Sequence, residues 1–196
     1  MKKFVFTFLG CIVFIGSIFA QNSGTEYRDW EKWLDYINIT RTVNLYEYST
    51  LYITKVDDSK ITYPDKNDNR YPALVKTMAL FNIVIEKKIQ KEFSHIKIVQ
   101  IENAKDLTLD AKSLLLEPEM TELDMGSQAL RFWIGFGAGA QHMVVSGKVS
   151  DSQGECFHFR HKRISSKSGG YEGTMIIEMN NFGADIAKIF KKMYKK

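Results

Sequence analysis

Residues 141–164 read QHMVVSGKVSDSQGECFHFRHKRI, and this stretch decides the fold. Two runs in which apolar and polar side chains alternate flank the turn-forming residues 151–154, a pattern typical of a β-hairpin. A plain two-residue turn would pair Val149 with Cys156 and would mix apolar with basic side chains on one face. A type I turn followed by a glycine bulge shifts the pairing by one residue, so that Val149 faces Phe157. We predict the shifted register because it separates an apolar face from a polar face.

The polar face of this hairpin is expected to be basic. In the shifted register the candidate binding side chains on it are Lys148, His158, Arg160 and Lys162. Like charges on neighbouring strands oppose strand pairing unless something screens them. This face is therefore either a solvated surface or a binding surface for an anionic component of the cell envelope.

Two other segments have the apolar period of amphipathic helices. Residues 71–93 form the first, and Pro72 suits its first turn. The second begins with Thr174 as its predicted N-cap and continues close to the C-terminus. Gly183 lies within this second helix and indicates a close crossing with another element.

Three further strands are expected, at residues 49–56, 96–101 and 113–123. The second is a continuous apolar run, which predicts a buried central strand. Pro118 places the third at an edge of the sheet or at a bulge. The predicted fold is α/β (α+β), a two-layer sandwich in which a mixed sheet of about five strands has two long helices packed on one face.

The composition is that of a folded globular protein. Apolar residues make up 44% of the 196 residues and charged residues 26%, which excludes a disordered or collagen-like chain. Two cysteines exclude a disulfide scaffold and a cysteine-rich zinc site. The net charge of +4 is too small to indicate a nucleic-acid partner.

The first twenty residues have the pattern of a secretory signal peptide, with a basic start, an apolar run and a small residue before the cut. Cleavage is expected after Ala20, which predicts an exported protein that is periplasmic or secreted. Two alternatives remain open. The run could be a transmembrane anchor, although it is short for one, or Cys11 could be lipidated and attach the protein to a membrane such as the outer membrane.

The chain is therefore divided into three parts. Residues 1–20 are the signal peptide, residues 21–48 an N-terminal extension, and residues 49–196 a single α/β domain. Helical spacing of apolar residues predicts a short amphipathic helix in the extension. These residues are Trp30, Trp33 or Leu34, and Ile37.

The segment from Met125 to Ala140 combines aromatic side chains with closely spaced glycines. It lacks the Lys-Ser or Lys-Thr ending of a nucleoside-triphosphate loop, and it opens no clear helix, which argues against nucleotide binding. It is either a buried connection whose glycines admit another backbone or an exposed patch that contacts a membrane or a protein. The candidate contact residues are Arg131, Phe132, Trp133 and Phe136. The candidate structural glycines, with that of the hairpin, are Gly126, Gly135, Gly137, Gly139 and Gly154.

The chain resembles a bacterial exported family described as domain of unknown function 4410, over roughly residues 49–192. The resemblance lies in a leucine-rich strand that ends in Gly126 and Ser127, then Arg131, aromatic residues, a Gly-x-Gly-Ala-Gly run and a hairpin. Gln128 departs from the basic residue that the family has after the serine. The resemblance implies an envelope protein without established chemistry. Its order of elements is similar to that of accessory domains in curli secretion and peptidoglycan-synthase activator lipoproteins.

The sequence carries no catalytic constellation that would predict an enzyme. Cys156 and His158 lie two residues apart on one strand, and a separation of ~6.6 Å is long for the hydrogen bond of a nucleophile pair. His142, His158 and His161 lack the spacing of a metal site, so neither a metal nor a cofactor is expected. The acidic residues Glu117, Glu119, Glu122 and Asp124 are typical of a solvated strand end.

We therefore expect a noncatalytic exported protein of the cell envelope, with an interaction or accessory role. Its partner would be an envelope protein or an anionic surface component. Peripheral membrane association and homo-oligomer formation both remain open. The alternative is an oligomeric, membrane-associated, lipoprotein-like component of a secretion or envelope-assembly machine, and an exported enzyme ranks third.

Overall fold

The computed structural model describes residues 25–28, 34–127, 139–165 and 171–193. The strands in these residues are β1 (Thr25–Arg28), β2 (Tyr36–Ile39), β3 (Thr50–Thr54), β4 (Lys97–Ile101), β5 (Ser113–Asp124), β6 (Gln141–Asp151) and β7 (Gly154–Ser165). The long helices are α1 (Tyr71–Glu92) and α2 (Tyr171–Met193), and a 3-10 turn spans Leu45–Glu47. The predicted signal peptide and its cleavage site lie outside the described residues.

These strands form one mixed sheet in the order β1-β2-β7-β6-β5-β3-β4. β3 is parallel to both of its neighbours, and the other pairs are antiparallel. α1 connects β3 to β4, as a parallel pair requires. The buried side chains of both helices join those of the sheet in a single core. The two-layer α/β (α+β) sandwich is confirmed, with seven strands in the described residues where about five were expected.

Both predicted helices are present and cross closely. Phe81 of α1 packs on Phe182 of α2, with ring centroids 5.6 Å apart. A Cβ atom at Gly183 would lie 3.1 Å from Cγ of Lys88, so the glycine permits the predicted close crossing. Thr174 is not the N-cap: it is buried on the core side, and α2 begins earlier, at Tyr171.

The hairpin has the predicted register. Val149 pairs with Phe157, and Gly147 pairs with Phe159, so that the apolar face meets the helices. Gly154 has a φ of +111°, a conformation that favours glycine. The pairing that the alternation of side chains predicted is therefore present, although the turn itself pairs Asp151 with Gly154.

The bulge of the hairpin falls at Cys156 and not at the turn glycine. The register shifts next to Ser150, which leaves Cys156 without a partner on β6. Its carbonyl instead accepts the backbone N–H groups of Thr40 and Arg41, at 2.9 and 2.8 Å. The bulge thus attaches the segment after β2 to the end of the hairpin.

The N-terminal extension does not form the predicted helix where the structure describes it. Ile37 lies in β2, which pairs antiparallel with β7, opposite Phe159. This strand completes the hydrogen bonding of β7 and buries Ile37 in the core. Residues 29–33, with Trp30 and Trp33, lie outside the described residues. The described part of the extension is therefore integral to the sheet.

The expectation of a buried central strand at residues 96–101 is wrong, because among the described residues β4 is an edge strand that pairs with β3 alone. Lys97 and Gln100 of β4 are exposed, whereas Ile98 packs against the core. An apolar run does not distinguish a strand covered on both faces from one covered by a helix on a single face.

Pro118 lies in an interior strand, so its predicted edge position is also wrong. β5 is interior, but its ladder with β3 ends at Leu116. Beyond that point the carbonyl of Pro118 accepts the N–H of Asp57 at 3.0 Å. The proline nitrogen, which has no hydrogen to donate, therefore faces the β3 side of the strand. The regular β3–β5 ladder has already ended there, so no ladder hydrogen bond is lost. The expected bulge is present a short way along, between Met120 and Glu122.

Candidate functional site

The sheet face that points away from the helices carries the predicted hairpin side chains. Lys148 and Arg160 both project from it, and their side chains are 47% and 46% exposed. We call this surface the open face. Its central residues are Tyr36, Glu117, Glu119, Glu122, Ser146, Lys148, His158 and Arg160.

Acidic side chains of β5 give the open face a mixed charge, so the expectation of a basic face is wrong. Nζ of Lys148 lies 2.7 Å from Oε2 of Glu117. Nη2 of Arg160 lies 3.0 Å from Oε1 of Glu122. Lys148 therefore pairs with a carboxylate on the adjacent strand β5, whereas Arg160 of β7 reaches across β6 to another carboxylate of β5. These ion pairs offset the repulsion between like charges.

A depression of about 340 Å³ lies at the centre of the open face. Ser146 and Gly147 contribute to its floor, where small residues leave room between longer side chains. The Tyr36 ring stacks on His158 at one wall, with centroids 5.6 Å apart and an angle of 30°. Nδ1 of His158 lies 2.5 Å from Oε1 of Glu155, which orients the imidazole. Aromatic, cationic and anionic groups thus converge on one shallow site.

Lys162, the fourth predicted basic residue, is exposed but lies outside this depression. It pairs with Val144 of β6, and its backbone N–H donates to the Asp35 carboxylate. The backbone of Lys162 therefore holds Asp35, the residue just before β2, while its side chain remains at the surface.

The predicted acidic strand end is solvated. The side chains of Glu122 and Asp124 are 46% and 54% exposed, and each has an oxygen 3.7 Å from a ring nitrogen of His142. Glu119 lies 2.6 Å from Nζ of Lys60. Each of these acidic residues therefore has a basic neighbour, as expected of a salt-bridged surface and not of a carboxylic acid pair.

Cys156 and His158 do not form a nucleophile pair. The bulge turns Cys156 into the core, where it is 1% exposed, whereas His158 lies on the open face. Burial, reinforced by the nearby negative charge of Asp151, raises the pKa of the Cys156 thiol to about 12. A thiol in this state is a poor nucleophile at neutral pH.

Arg41 and Tyr48 surround the carboxylate of Asp151 next to this cysteine. Arg41 donates hydrogen bonds of 2.8 and 2.7 Å to its two oxygens, and Tyr48 donates one of 3.1 Å. Burial opposes ionisation of Asp151, but these bonds and the Gln153 N–H outweigh it and lower the pKa to about 2. This cluster anchors the hairpin turn to the segment after β2.

His161 lies on the helix side of the sheet, apart from the other hairpin histidines. Its ring stacks on Phe182, and Nε2 lies 3.1 Å from Oδ2 of Asp185. Arg163 donates hydrogen bonds of 2.9 and 2.7 Å to the buried carboxylates of Glu178 and Asp185. These contacts hold α2 on β7. No group of three or more potential ligands that could hold a metal occurs in residues 25–28, 34–127, 139–165 and 171–193.

The described residues on the two sides of the glycine-rich segment, 126–127 and 139–140, lie in contact with each other. Gly126 and Gly139 both have positive φ, +63° and +67°. The N–H of Ser127 donates to the carbonyl of Gly139 at 3.1 Å, and a Cβ on Gly126 would lie 2.2 Å from that same oxygen. Gly126 and Gly139 thus have backbone conformations that favour glycine at the point where residues 126–127 meet residue 139.

The other predicted residues of that segment lie outside the described residues. They are the contact residues Arg131, Phe132, Trp133 and Phe136 and the glycines Gly135 and Gly137. Of the described helices, none combines the length and the apolar character needed to cross a membrane.

Sequence reasoning missed Tyr36 as a wall of the depression and Arg41 as the anchor of the hairpin turn. Both belong to the extension, which was expected to lie apart from the sheet. The signal that could have found Tyr36 is weak: apolar Ile37 and Ile39 alternate with polar residues over only four positions.

Residues 49–179 match the model of the family Domain of unknown function (DUF4410), and the chain belongs to that family. No curated protein matches the chain in sequence.

Three solved structures are similar to parts of this chain at low sequence identity. The PelC dodecamer from Paraburkholderia phytofirmans is 10% identical, with a TM-score of 0.45, and the match covers 77% of this chain and 96% of that one. The lipoprotein GNA1162 from Neisseria meningitidis is 11% identical, with a TM-score of 0.37 and coverage of 71% and 99%. The hypothetical protein CT253 from Chlamydia trachomatis is 10% identical, with a TM-score of 0.45 and coverage of 74% and 93%. Likeness at this identity concerns the fold and not the function.

Proposed function

We propose that this member of the DUF4410 family is a noncatalytic, exported protein of the cell envelope that binds a partner through the open face of its sheet. The observation that carries the proposal is the depression over Ser146 and Gly147, where Tyr36, Lys148, His158 and Arg160 converge at the surface. Alternating charges and the half-buried aromatic ring of Tyr36 suit recognition of another polar surface.

The candidate nucleophile and the carboxylates support binding over catalysis. The Cys156 thiol is buried, and its pKa is raised to about 12. The open-face carboxylates Glu117 and Glu122 are engaged by Lys148 of β6 and Arg160 of β7. Side chains held in such pairs present a fixed charge pattern, which gives specificity to an interface.

The partner we propose is another envelope protein, since a face of mixed charge gives an anionic polymer no net attraction. Arg131 and Trp133 remain candidate contact residues from the sequence. In this proposal their substitution abolishes capture of the partner without unfolding the protein.

The experiment exchanges one ion pair and leaves the net charge unchanged. The variant E117K/K148E keeps opposite charges on the two positions and inverts their order. The matched control D68R/R70D exchanges a surface pair just before α1, outside the open face, whose atoms are 2.5 Å apart. Each variant replaces the wild-type chain in the native host, and co-purifying envelope proteins are compared after mild crosslinking.

Loss of a specific partner in E117K/K148E, with the partner retained in the control, supports the open face as the binding surface. Equal capture by both variants contradicts it. Circular dichroism and the unfolding midpoint show whether each variant is folded.

Fractionation of the host envelope tests the proposed export. Release of the mature chain by a carbonate wash supports a periplasmic or peripheral protein. Retention in the washed membrane favours the alternative of a lipidated or inserted component of a secretion or assembly machine.

A further inference from the structure

The C-terminal halves of the two helices carry a lysine-lined groove. α1 and α2 run in the same direction, since Phe81 meets Phe182 and Glu92 meets Lys191 further along. Their last turns therefore lie side by side. The groove between them has a volume of about 260 Å³. The lysines that line it are Lys88, Lys91, Lys188 and Lys191.

Small residues shape this lysine groove. Ala184 and Ala187 line it between the helices. Gly183 leaves room for the stem of Lys88, whose Cγ would lie only 3.1 Å from a Cβ at that position. Lysine stems can therefore lie along the apolar surface while their ammonium groups reach water.

The charge around the groove is predominantly positive. Lys87 of α1 and Lys192 of α2 are sequence neighbours of the groove lysines Lys88 and Lys191. Glu92 lines the groove and is paired with Lys191 at 2.8 Å. Asp185 lies beneath it, 4% exposed, and is engaged by Arg163 as well as by Lys188. The residues that line the groove thus include four lysines and one glutamate, which leaves the lining net positive.

An exposed aromatic residue lies beside the lysines. The Tyr46 side chain is 56% exposed, and its ring stacks on His95 with centroids 4.8 Å apart. It is close enough to Lys191 that its phenol adds to the effect of Glu92 in raising the pKa of the ammonium group. Tyrosine is favoured where an apolar layer meets a wet one.

The helix dipole does not explain the whole arrangement. It favours cations in the last turn of a helix, which accounts for Lys191 and Lys192. Lys87 and Lys88 lie earlier in α1, and Tyr46 belongs to another element. Lysine is a compact, hydrated point charge without the fork with which arginine grips one anion. A surface that bears many phosphates is therefore a better match for this groove than a single anionic ligand.

We propose that the lysine groove and Tyr46 dock the protein on an anionic phospholipid surface. The docking surface lies on the helix layer and is separate from the open face. A membrane-bound protein would thus keep the open face available for its partner.

The test uses protein purified from its native host, in the processed form that the host makes. Cosedimentation is measured with vesicles of phosphatidylglycerol and phosphatidylcholine, and with vesicles of phosphatidylcholine alone. The variant K88Q/K91Q/K188Q/K191Q removes the charges of the groove. The control K55Q/K66Q/K76Q/K105Q removes the same number of charges elsewhere. The groove variant should bind phosphatidylglycerol vesicles roughly 100-fold more weakly than the wild type does, because each lysine near the surface adds to the attraction.

The proposal is supported if the wild type prefers phosphatidylglycerol vesicles and high salt weakens that binding. It also requires that only the groove variant loses binding to these vesicles. Three results would overturn it. The wild type could bind both kinds of vesicle equally, both variants could lose binding equally, or the groove variant could bind as the wild type does. A Tyr46→Ala variant adds a check that leaves the charge intact, and it should weaken binding several-fold while the protein remains folded.

Discussion

Arg41 holds the carboxylate of Asp151 with two hydrogen bonds, of 2.8 and 2.7 Å. The arginine belongs to the segment after β2, and the aspartate begins the turn between β6 and β7. This ion pair therefore fixes the hairpin that carries the open face to the strand that carries Tyr36. This contact between residues distant in sequence adds to the β2–β7 ladder and to the two backbone hydrogen bonds at Cys156.

Arg41→Ala should destabilise the protein by about 2 kcal/mol, because it leaves the buried Asp151 carboxylate with fewer donors. Arg70→Ala is the control, since Arg70 pairs with the nearby Asp68 at the surface. That control should cost less than about 0.5 kcal/mol. Urea unfolding measures both variants. Equal midpoints for the two would contradict the anchoring role of Arg41.

Asp151 should make stability fall in acid. Its pKa is about 2 in the folded protein, against an ordinary value of 3.8. The ionised form is therefore favoured by folding above pH 4, and that stabilisation disappears as the pH falls toward 2. Asp151→Asn should lessen the loss of unfolding free energy across this window by about 2 kcal/mol. An unchanged pH profile of the unfolding midpoint in this variant would refute the prediction.

Cys156 should resist alkylation in the native state. Its pKa of about 12 leaves almost no thiolate at pH 8, and the side chain is 1% exposed. Labelling by iodoacetamide, followed by mass spectrometry of the peptide that contains Cys156, should be at least about 100-fold slower than in urea. Native labelling as fast as in urea would restore the cysteine as a candidate nucleophile.

Gly147 should not tolerate a side chain. A Cβ atom there would lie 2.5 Å from the ring of Phe159, which is packed in the core. Gly147→Ala should therefore destabilise the protein by about 2 kcal/mol. Gly173→Ala is the control, because no atom lies within 4 Å of its added Cβ. The control should stabilise α2 by up to about 1 kcal/mol. The prediction fails if thermal unfolding shows Gly147→Ala to be as stable as the wild type.

The hairpin and the helices could be predicted from the sequence because their patterns are local. Only one register places Val149 opposite Phe157 and keeps the charged side chains on the other face. Each helix has an apolar stripe several turns long, which few other structures would bury. In contrast, β2 spans only four residues, and Ile37 fits a helical spacing with Trp33 as well as it fits a strand.

The charge of the open face could not be predicted because it depends on a distant strand. Glu117 and Glu122 are an odd number of residues apart and would lie on opposite faces of a regular strand. The bulge between Met120 and Glu122 brings both onto the open face, where they meet Lys148 and Arg160. No local signal reveals which strand will supply such partners.

The most direct test of the binding account places a photo-crosslinking residue at Ser146, in the depression of the open face. The matched control replaces Ser94, which is exposed beyond the end of α1. Both variants are expressed in the native host, irradiated, and analysed by mass spectrometry of the crosslinked envelope proteins. The account predicts a specific partner crosslinked from position 146 and not from position 94. Absence of crosslinks from position 146 in a folded, exported protein would contradict it, and so would the same partner crosslinked from both positions.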